Sequence, residues 1–313
     1  MKAIHKAWLI QIEITNCCVH ECANCTRFVG QHKKPFFMDL ATVEKAIDSL
    51  EGFPGGIGIM GGEPTVHPKF REICELLQKK VPPHRCGLWT SGHRWEEYKD
   101  LINATFKLGV YYNDHTEPTQ RHQPVLVAID EVVQDKKLMW DLINKCWVQE
   151  QWSPSITPKG GFFCEVAAAI DAVFNGPGGY PLEKGWWKKE VKDYQDQVKW
   201  CCVRCGGALP LDRPLISEPN DTITPKNLET LRALGAPKVL AGRTTVFDKQ
   251  LTKEDVMAKE PEWRPSQYLK NFFARKKNLK LDELKLIRGF HGCARMYNKL
   301  TYHVAKALKI EKR

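Results

Sequence analysis

The chain alternates short apolar runs with stretches in which apolar residues recur every three or four positions. That alternation predicts strands followed by amphipathic helices, the pattern of β-α units around a parallel sheet. AWLIQIEI, residues 7–14, reads as the first strand. MDLATVEKAIDSLEGF reads as a helix with Asp39 or Thr42 as its N-cap, since either side chain can accept from an unpaired first-turn amide. GIGIMGGEP predicts a second strand ending in glycines, and HPKFREICELLQKK the helix after it. RCGLWTSG, KLGVYYND and QPVLVAID are further strands by the same criterion, giving at least five repeats. Right-handed crossovers wind such a series into a barrel or an open sheet, with chemistry at the C-terminal strand ends.

The texture changes near Lys145. CWVQEQWSPSITPKGGFFCEVAAAIDAVF predicts a β-hairpin turning at Pro158-Lys159-Gly160-Gly161 and then a short helix. A glycine- and proline-rich loop, NGPGGYPLEKGWW, leads to WCCVRCGGALPL. Beyond Leu211 the spacing is largely helical, with Leu281, Leu284, Ile287, Tyr297, Leu300 and Val304 on one predicted packing face. No internal repeat or low-complexity tract interrupts the chain. The expected division is 1–140, 141–210 and 211–313.

Composition adds two constraints. Hydrophobic residues make up 42% of the 313 and charged residues 27%, ordinary for a globular protein, and no apolar run approaches the roughly 18 residues of a membrane span. The N-terminal stretch runs into polar residues without a small-residue cleavage site, so a cytoplasmic protein without membrane attachment is expected. The net charge is +10, and residues 259–313 carry all of it, with 15 Lys plus Arg against 5 Asp plus Glu. A basic C-terminal stretch suggests a polyanionic partner such as nucleic acid, or a phosphorylated substrate, with solvated helix faces as the alternative.

Twelve cysteines in such a chain point to metal rather than to disulfides. Cys18, Cys22 and Cys25 are spaced Cys-x3-Cys-x2-Cys on the loop directly after the first strand. Structural zinc normally takes two pairs of ligands, so three close thiolates suit a [4Fe-4S] cluster with one iron left open.

This loop resembles the cluster motif of the radical S-adenosylmethionine (SAM) enzymes. The resemblance implies a partial (β/α)6 TIM-like barrel. It also implies a cluster whose open iron chelates SAM, and an electron that cleaves the sulfonium to give a 5'-deoxyadenosyl radical that removes a substrate hydrogen. One position departs from the family: Asn24 stands where an aromatic residue usually contacts adenine. MGGEP, with Gly61, Gly62, Glu63 and Pro64, resembles the family's Gly-Gly-Glu motif, which receives the methionine ammonium of SAM. Glycines there let backbone carbonyls approach a cation closely. Thr90-Ser91-Gly92 resembles the family's Thr-Asn-Gly, and Asn113 is a candidate ribose contact. A reductant such as flavodoxin or ferredoxin is implied.

Cys146 and Cys164 bracket the predicted hairpin, and Cys202 and Cys205 form a Cys-x2-Cys knuckle. On chemistry alone these four could build a zinc ribbon. Their order resembles more closely the SPASM and twitch extensions of radical SAM enzymes, including those that oxidise an aminocyclitol alcohol, which implies a second, fully ligated auxiliary [4Fe-4S] cluster. Cys17 could replace Cys18, and Cys201 could replace Cys202. Cys74 and Cys86 lie in apolar contexts and read as buried core thiols. Cys293, near His291, is either a core thiol or a hydrogen donor to a substrate radical.

A closed auxiliary cluster favours electron transfer and hence net oxidation of a small polar substrate, with phosphorylated compounds, nucleosides and sugars as the candidates. A redox-neutral epimerase or isomerase, or an enzyme modifying nucleic acid, is the alternative, and a non-catalytic zinc-ribbon nucleic-acid binder is the reading from another class. Glu150, Trp152 and Glu165, on or beside the hairpin, are the candidate substrate contacts.

Overall fold

The computed structural model describes residues 1–151 and 153–263. Strand β1 (Leu9–Thr15) is the centre of a six-stranded sheet of order β4-β3-β2-β1-β5-β6. β2 (Gly56–Gly61), β3 (Cys86–Thr90) and β4 (Gly109–Tyr112) extend it on one side, each parallel to its neighbour. Helices α1 (Leu40–Ser49), α2 (Phe70–Lys80) and α3 (Trp95–Thr105) make the connections. Of the two caps predicted for α1, Asp39 serves: its side chain accepts from Thr42 N at 2.8 Å. Ile10, Ile12, Ile14, Ile57, Ile59 and Leu88 share one face of the sheet and one core with Val43, Ile47, Ile73, Leu77 and Ile102 of the helices. Burial of such side chains is worth about 1.5–3 kcal/mol each, which fixes the register of the strands.

The opposite face is built differently. Strand pairing aligns Gln11 with Gly58, Glu13 with Met60, Gly87 with Gly109 and Trp89 with Tyr111. Glycines make room there for aromatic rings: a Cβ on Gly58 would lie 2.7 Å from the Trp89 ring. Trp89 and Tyr111 stack at 4.2 Å between centroids with 19° between planes.

QPVLVAID is not a strand. Residues 129–132 form the short helix α4 (Ile129–Val132), and the preceding residues are buried irregular backbone. The run is apolar because it is covered on all sides, and its polar groups are satisfied one by one rather than by a ladder. Gly206 N donates to Val125 O, Asn227 Nδ2 to Leu126 O, and Ala128 N to Thr224 Oγ1. Pro124, which has no amide hydrogen, suits that role better than a central strand.

Helices α5 (Lys136–Asn144) and α6 (Trp147–Gln151) then lead to the predicted hairpin, β5 (Ser155–Thr157) and β6 (Gly160–Phe162). The sheet reaches six strands through this hairpin rather than through two more β-α units. β5 pairs parallel with β1 through Gln11 and Ile12, so the hairpin belongs to the main sheet. Gly160 has φ +115, and a Cβ there would lie 2.5 Å from Tyr180 O. α7 (Glu165–Val173) follows, then α8 (Gln195–Cys201). A parallel pair that sequence patterning does not suggest, β7 (Asp221–Ile223) and β8 (Thr244–Val246), encloses α9 (Pro225–Ala233) and α10 (Pro237–Leu240), and α11 (Lys253–Trp263) comes last. Cys74 and Cys86 are buried in the core as expected. Cys293, the apolar positions 281–304 and nearly all of the basic stretch lie outside the described residues. No described helix is long and apolar enough to cross a membrane.

Candidate functional site

The loop carrying Cys18, Cys22 and Cys25 leaves the C-terminal end of β1 and is pinned at once by β2. Gly62 N donates to Thr15 O at 2.9 Å, and Glu63 N to Cys17 O at 2.8 Å. A Cβ on Gly61 would stand 1.9 Å from Thr15 O, and one on Gly62 would stand 2.2 Å from Cys17 O. Two glycines are therefore required because two strand ends run in backbone contact. Cys17 takes part through its backbone carbonyl.

Glu63 is buried, and its carboxylate is already engaged. Thr65 N and Oγ1 and Thr90 Oγ1 donate to Oε1, and Ser91 N and Oγ donate to Oε2. It ties the end of β2 to the end of β3 and so brings Thr90 and Ser91 beside the Gly-Gly turn. Pro64 opens the 3-10 turn that follows.

The three thiols lie close enough to disturb one another. Burial pushes Cys18 up to about 12, with the charges of Cys25 and Glu63 adding to the effect. Burial, then Cys25 and Cys18, push Cys22 up to about 12, and burial raises Cys25 as well. Three mutually repelling thiols do not ionise in such a place without added positive charge, which bound iron supplies. The donor set, three cysteines on one loop against a glycine turn that a Cβ would fill, fits a cluster held by three protein ligands. His115 Nδ1 lies 3.4 Å from Cys22 Sγ, and its ring stacks on His20 at 3.9 Å. Burial and the neighbouring His20 and His122 push His115 down to about 4. Asn113, exposed, sits 3.2 Å from His115 through its side-chain nitrogen.

Below the loop, the glycine-rich face of the sheet carries a buried charged group. Arg27 Nη1 is 3.1 Å from Glu13 Oε1, and Nη2 donates to Glu165 Oε2 at 2.6 Å and to Gln11 Oε1 at 3.2 Å. The same Nη2 is 2.8 Å from Met60 Sδ, and Ser155 Oγ donates to Glu13 at 3.0 Å. Burial raises both carboxyls above the ordinary glutamate value while Arg27 opposes it. The sequence marks Glu165 but not Glu13 or Arg27, because an acid in a strand and an arginine two residues after a cysteine have no spacing signature. Trp152 lies outside the described residues, as does the side chain of Glu150.

Residues 12–132 match the family model of the radical SAM superfamily. This stretch is a radical SAM domain. The domain implies a [4Fe-4S] cluster, SAM and a reductant. No curated protein matches the chain. Among solved structures, the crystal structure of BtrN in complex with AdoMet and 2-DOIA is similar, with 16% identity and a TM-score of 0.37 over 51% of this chain and 73% of that one. An open conformation of BtrN gives 18% identity and a TM-score of 0.34 over 50% and 69%.

Beyond the radical SAM domain, Cys146, Cys164, Cys202 and Cys205 border one cavity, with about 30 Å³ open to the centre of a water-sized sphere and otherwise lined mostly by apolar residues such as Val148, Phe163 and Ile170. Cys146 lies between α5 and α6, Cys164 caps α7, and the other two sit on the turn after α8. A Cβ on Gly207 would come 3.2 Å from Cys205 Sγ and 3.9 Å from Cys146 Sγ. Burial pushes Cys164 up to about 12 and Cys202 and Cys205 well above the ordinary thiol value, with the neighbouring Cys146 adding to the effect on all three. Among the described residues no three His, Cys, Asp or Glu side chains gather on a point that would hold a single ion, so these thiols line a space instead. Cys201 also borders the cavity, but its thiol donates to Ala167 O at 3.6 Å.

The segment after Cys205 returns to the loop of Cys18, Cys22 and Cys25 and holds it by the backbone. Ala23 N donates to Ile216 O, and Asn24 N donates to Asp221 Oδ1 at 2.7 Å. Asn24 has φ +50, and its Oδ1 accepts from Thr222 N while its Nδ2 is buried without a partner among the described residues. Gln31 Nε2 reaches Asp221 Oδ2, and Lys238, 1% exposed, donates from Nζ to Asp221 Oδ1 at 2.7 Å and to Cys22 O at 3.3 Å.

Proposed function

We propose that the chain is a radical SAM enzyme that oxidises a small polar substrate, with Cys18, Cys22 and Cys25 holding the SAM-binding cluster and Cys146, Cys164, Cys202 and Cys205 an auxiliary [4Fe-4S] cluster. The observation that carries the oxidative reading is the second thiol-lined cavity: four cysteines close a cluster completely, which adds redox capacity but no open coordination site. When bound, the first cluster and SAM supply a hydrogen-atom abstractor made by one-electron reduction.

The chain's own residues bind and orient. Gly61 and Gly62 bring the end of β2 into backbone contact with the cysteine loop, where the family resemblance puts the SAM ammonium, and Glu63 ties that turn to Thr90 and Ser91 through a carboxylate that is already engaged. Thr90, Ser91 and Asn113 line the next two strand ends. The buried Nδ2 of Asn24 is a donor that a ligand acceptor would satisfy, since buried donors without partners are rare. Beneath them, Glu13 and Glu165 share one guanidinium, and burial raises both carboxyls above the ordinary glutamate value while Arg27 opposes it. Trp89 and Tyr111, half-exposed, pack with Trp8 over the glycines of the same sheet face.

Anaerobic reconstitution tests the proposal. Brown protein with about eight irons per chain, and SAM cleavage to 5'-deoxyadenosine on reduction, is expected. Colourless protein holding only zinc would sink the enzyme reading. About four irons, unchanged by Cys202→Ala Cys205→Ala, would sink the auxiliary cluster alone. Deuterium transferred from candidate substrates into 5'-deoxyadenosine identifies the carbon attacked.

A further inference from the structure

We propose that Lys238 and Asp221 are positioning residues for the cluster of the radical SAM domain: from a segment outside that domain they fix the cysteine loop through its backbone, and their opposite charges set the cluster's reduction potential. The proposal rests on Cys18, Cys22 and Cys25 holding that cluster.

The two residues come from α10 and β7, about 200 residues beyond the loop. Both are buried, and their salt bridge is 2.7 Å long. Its charges meet the loop at different points. The ammonium sits on the Cys22 carbonyl, and the carboxylate accepts from Asn24 N, one residue before Cys25. Access is built for the lysine: a Cβ on Gly30 would lie 2.9 Å from Lys238 Cδ, so the stem passes over a residue without a side chain. Asn24 acquires a purpose as well, because its backbone N–H and its side-chain oxygen both dock β7, which leaves only Nδ2 uncommitted. A surface ion pair would have little effect on a cluster, but a dry pair is screened far less and each charge is felt separately. The lysine favours the reduced, more negative cluster and the aspartate disfavours it.

Lys238→Gln and Asp221→Asn keep hydrogen-bonding groups in place and remove one charge each. Potentiometric titration of the EPR signal that SAM perturbs reads the first cluster separately from any other. Lys238→Gln should lower its potential and Asp221→Asn should raise it, with iron per chain as in the unsubstituted protein. Shifts of the same sign, no shift, or loss of iron in a folded variant overturn the assignment, since a packing role predicts common damage rather than opposite signs. Should Asp221→Asn fail to fold by circular dichroism, Lys238→Gln with Lys238→Arg carries the test: a lowered potential in the first and an unchanged one in the second support it, and any other pattern overturns it. Unsubstituted protein that takes up no iron would instead refute the cluster reading beneath it.

Discussion

Taking an ion out of water costs several kcal/mol even after relaxation, and Glu13, Arg27 and Glu165 all meet that cost within one hydrogen-bonded group. Removing the shared partner leaves two acids buried together. Arg27→Met should therefore cost about 3–5 kcal/mol in urea unfolding near neutral pH, whereas Glu165→Gln should cost much less. The pH dependence of the Arg27 variant follows from the raised carboxyls. Between the ordinary glutamate value and the raised folded one, the folded chain holds protons that the unfolded chain has released, so stability falls as pH rises and recovers on acidification. A flat profile would count against this account. At Gly62 the constraint is space rather than charge: Gly62→Ala puts a Cβ 2.2 Å from the Cys17 carbonyl, and the variant should lose SAM cleavage and part of its iron while its far-UV spectrum is unchanged. The cysteines and the Gly-Gly turn are legible in sequence because their chemistry needs those residue types at close spacing. Arg27 and Lys238 are not, since their partners lie far along the chain and any surface helix holds similar residues.

Strands β1 to β4 and helices α1 to α3 follow the apolar periodicity of the sequence, because each buries one face against a single core. QPVLVAID defeats the same reasoning: a run covered on every side has no polar face to betray its conformation, and only its hydrogen-bond partners decide it. The pair β7 and β8 escapes notice for the opposite reason, three residues being too short to show alternation. The hairpin is legible from its turn, but its place beside β1 depends on Ser155 meeting Glu13 across the sheet. Ile156, fully buried on β5, anchors that placement. Ile156→Ala should cost about 2–5 kcal/mol in denaturant unfolding. A loss below 1 kcal/mol would mean that β5 is not an integral strand.

In the whole molecule the two thiol-lined sites draw their cysteines from different parts of the chain. Cys164→Ser Cys205→Ser should reduce iron from about eight to about four per chain and leave SAM cleavage intact while substrate oxidation is lost. Loss of both clusters together would mean that the sites are not independent.

The grip of Asp221 and Lys238 on the cluster loop also has a consequence in time. Asn24 is translated 197 residues before the carboxylate that will hold its amide. At about 5–20 residues per second, that leaves the cysteine loop exposed at the ribosome for roughly 10–40 s before its fastening exists. Iron delivered to the nascent chain would therefore meet an open loop, whereas iron delivered to the finished protein would meet one already fastened by a buried ion pair.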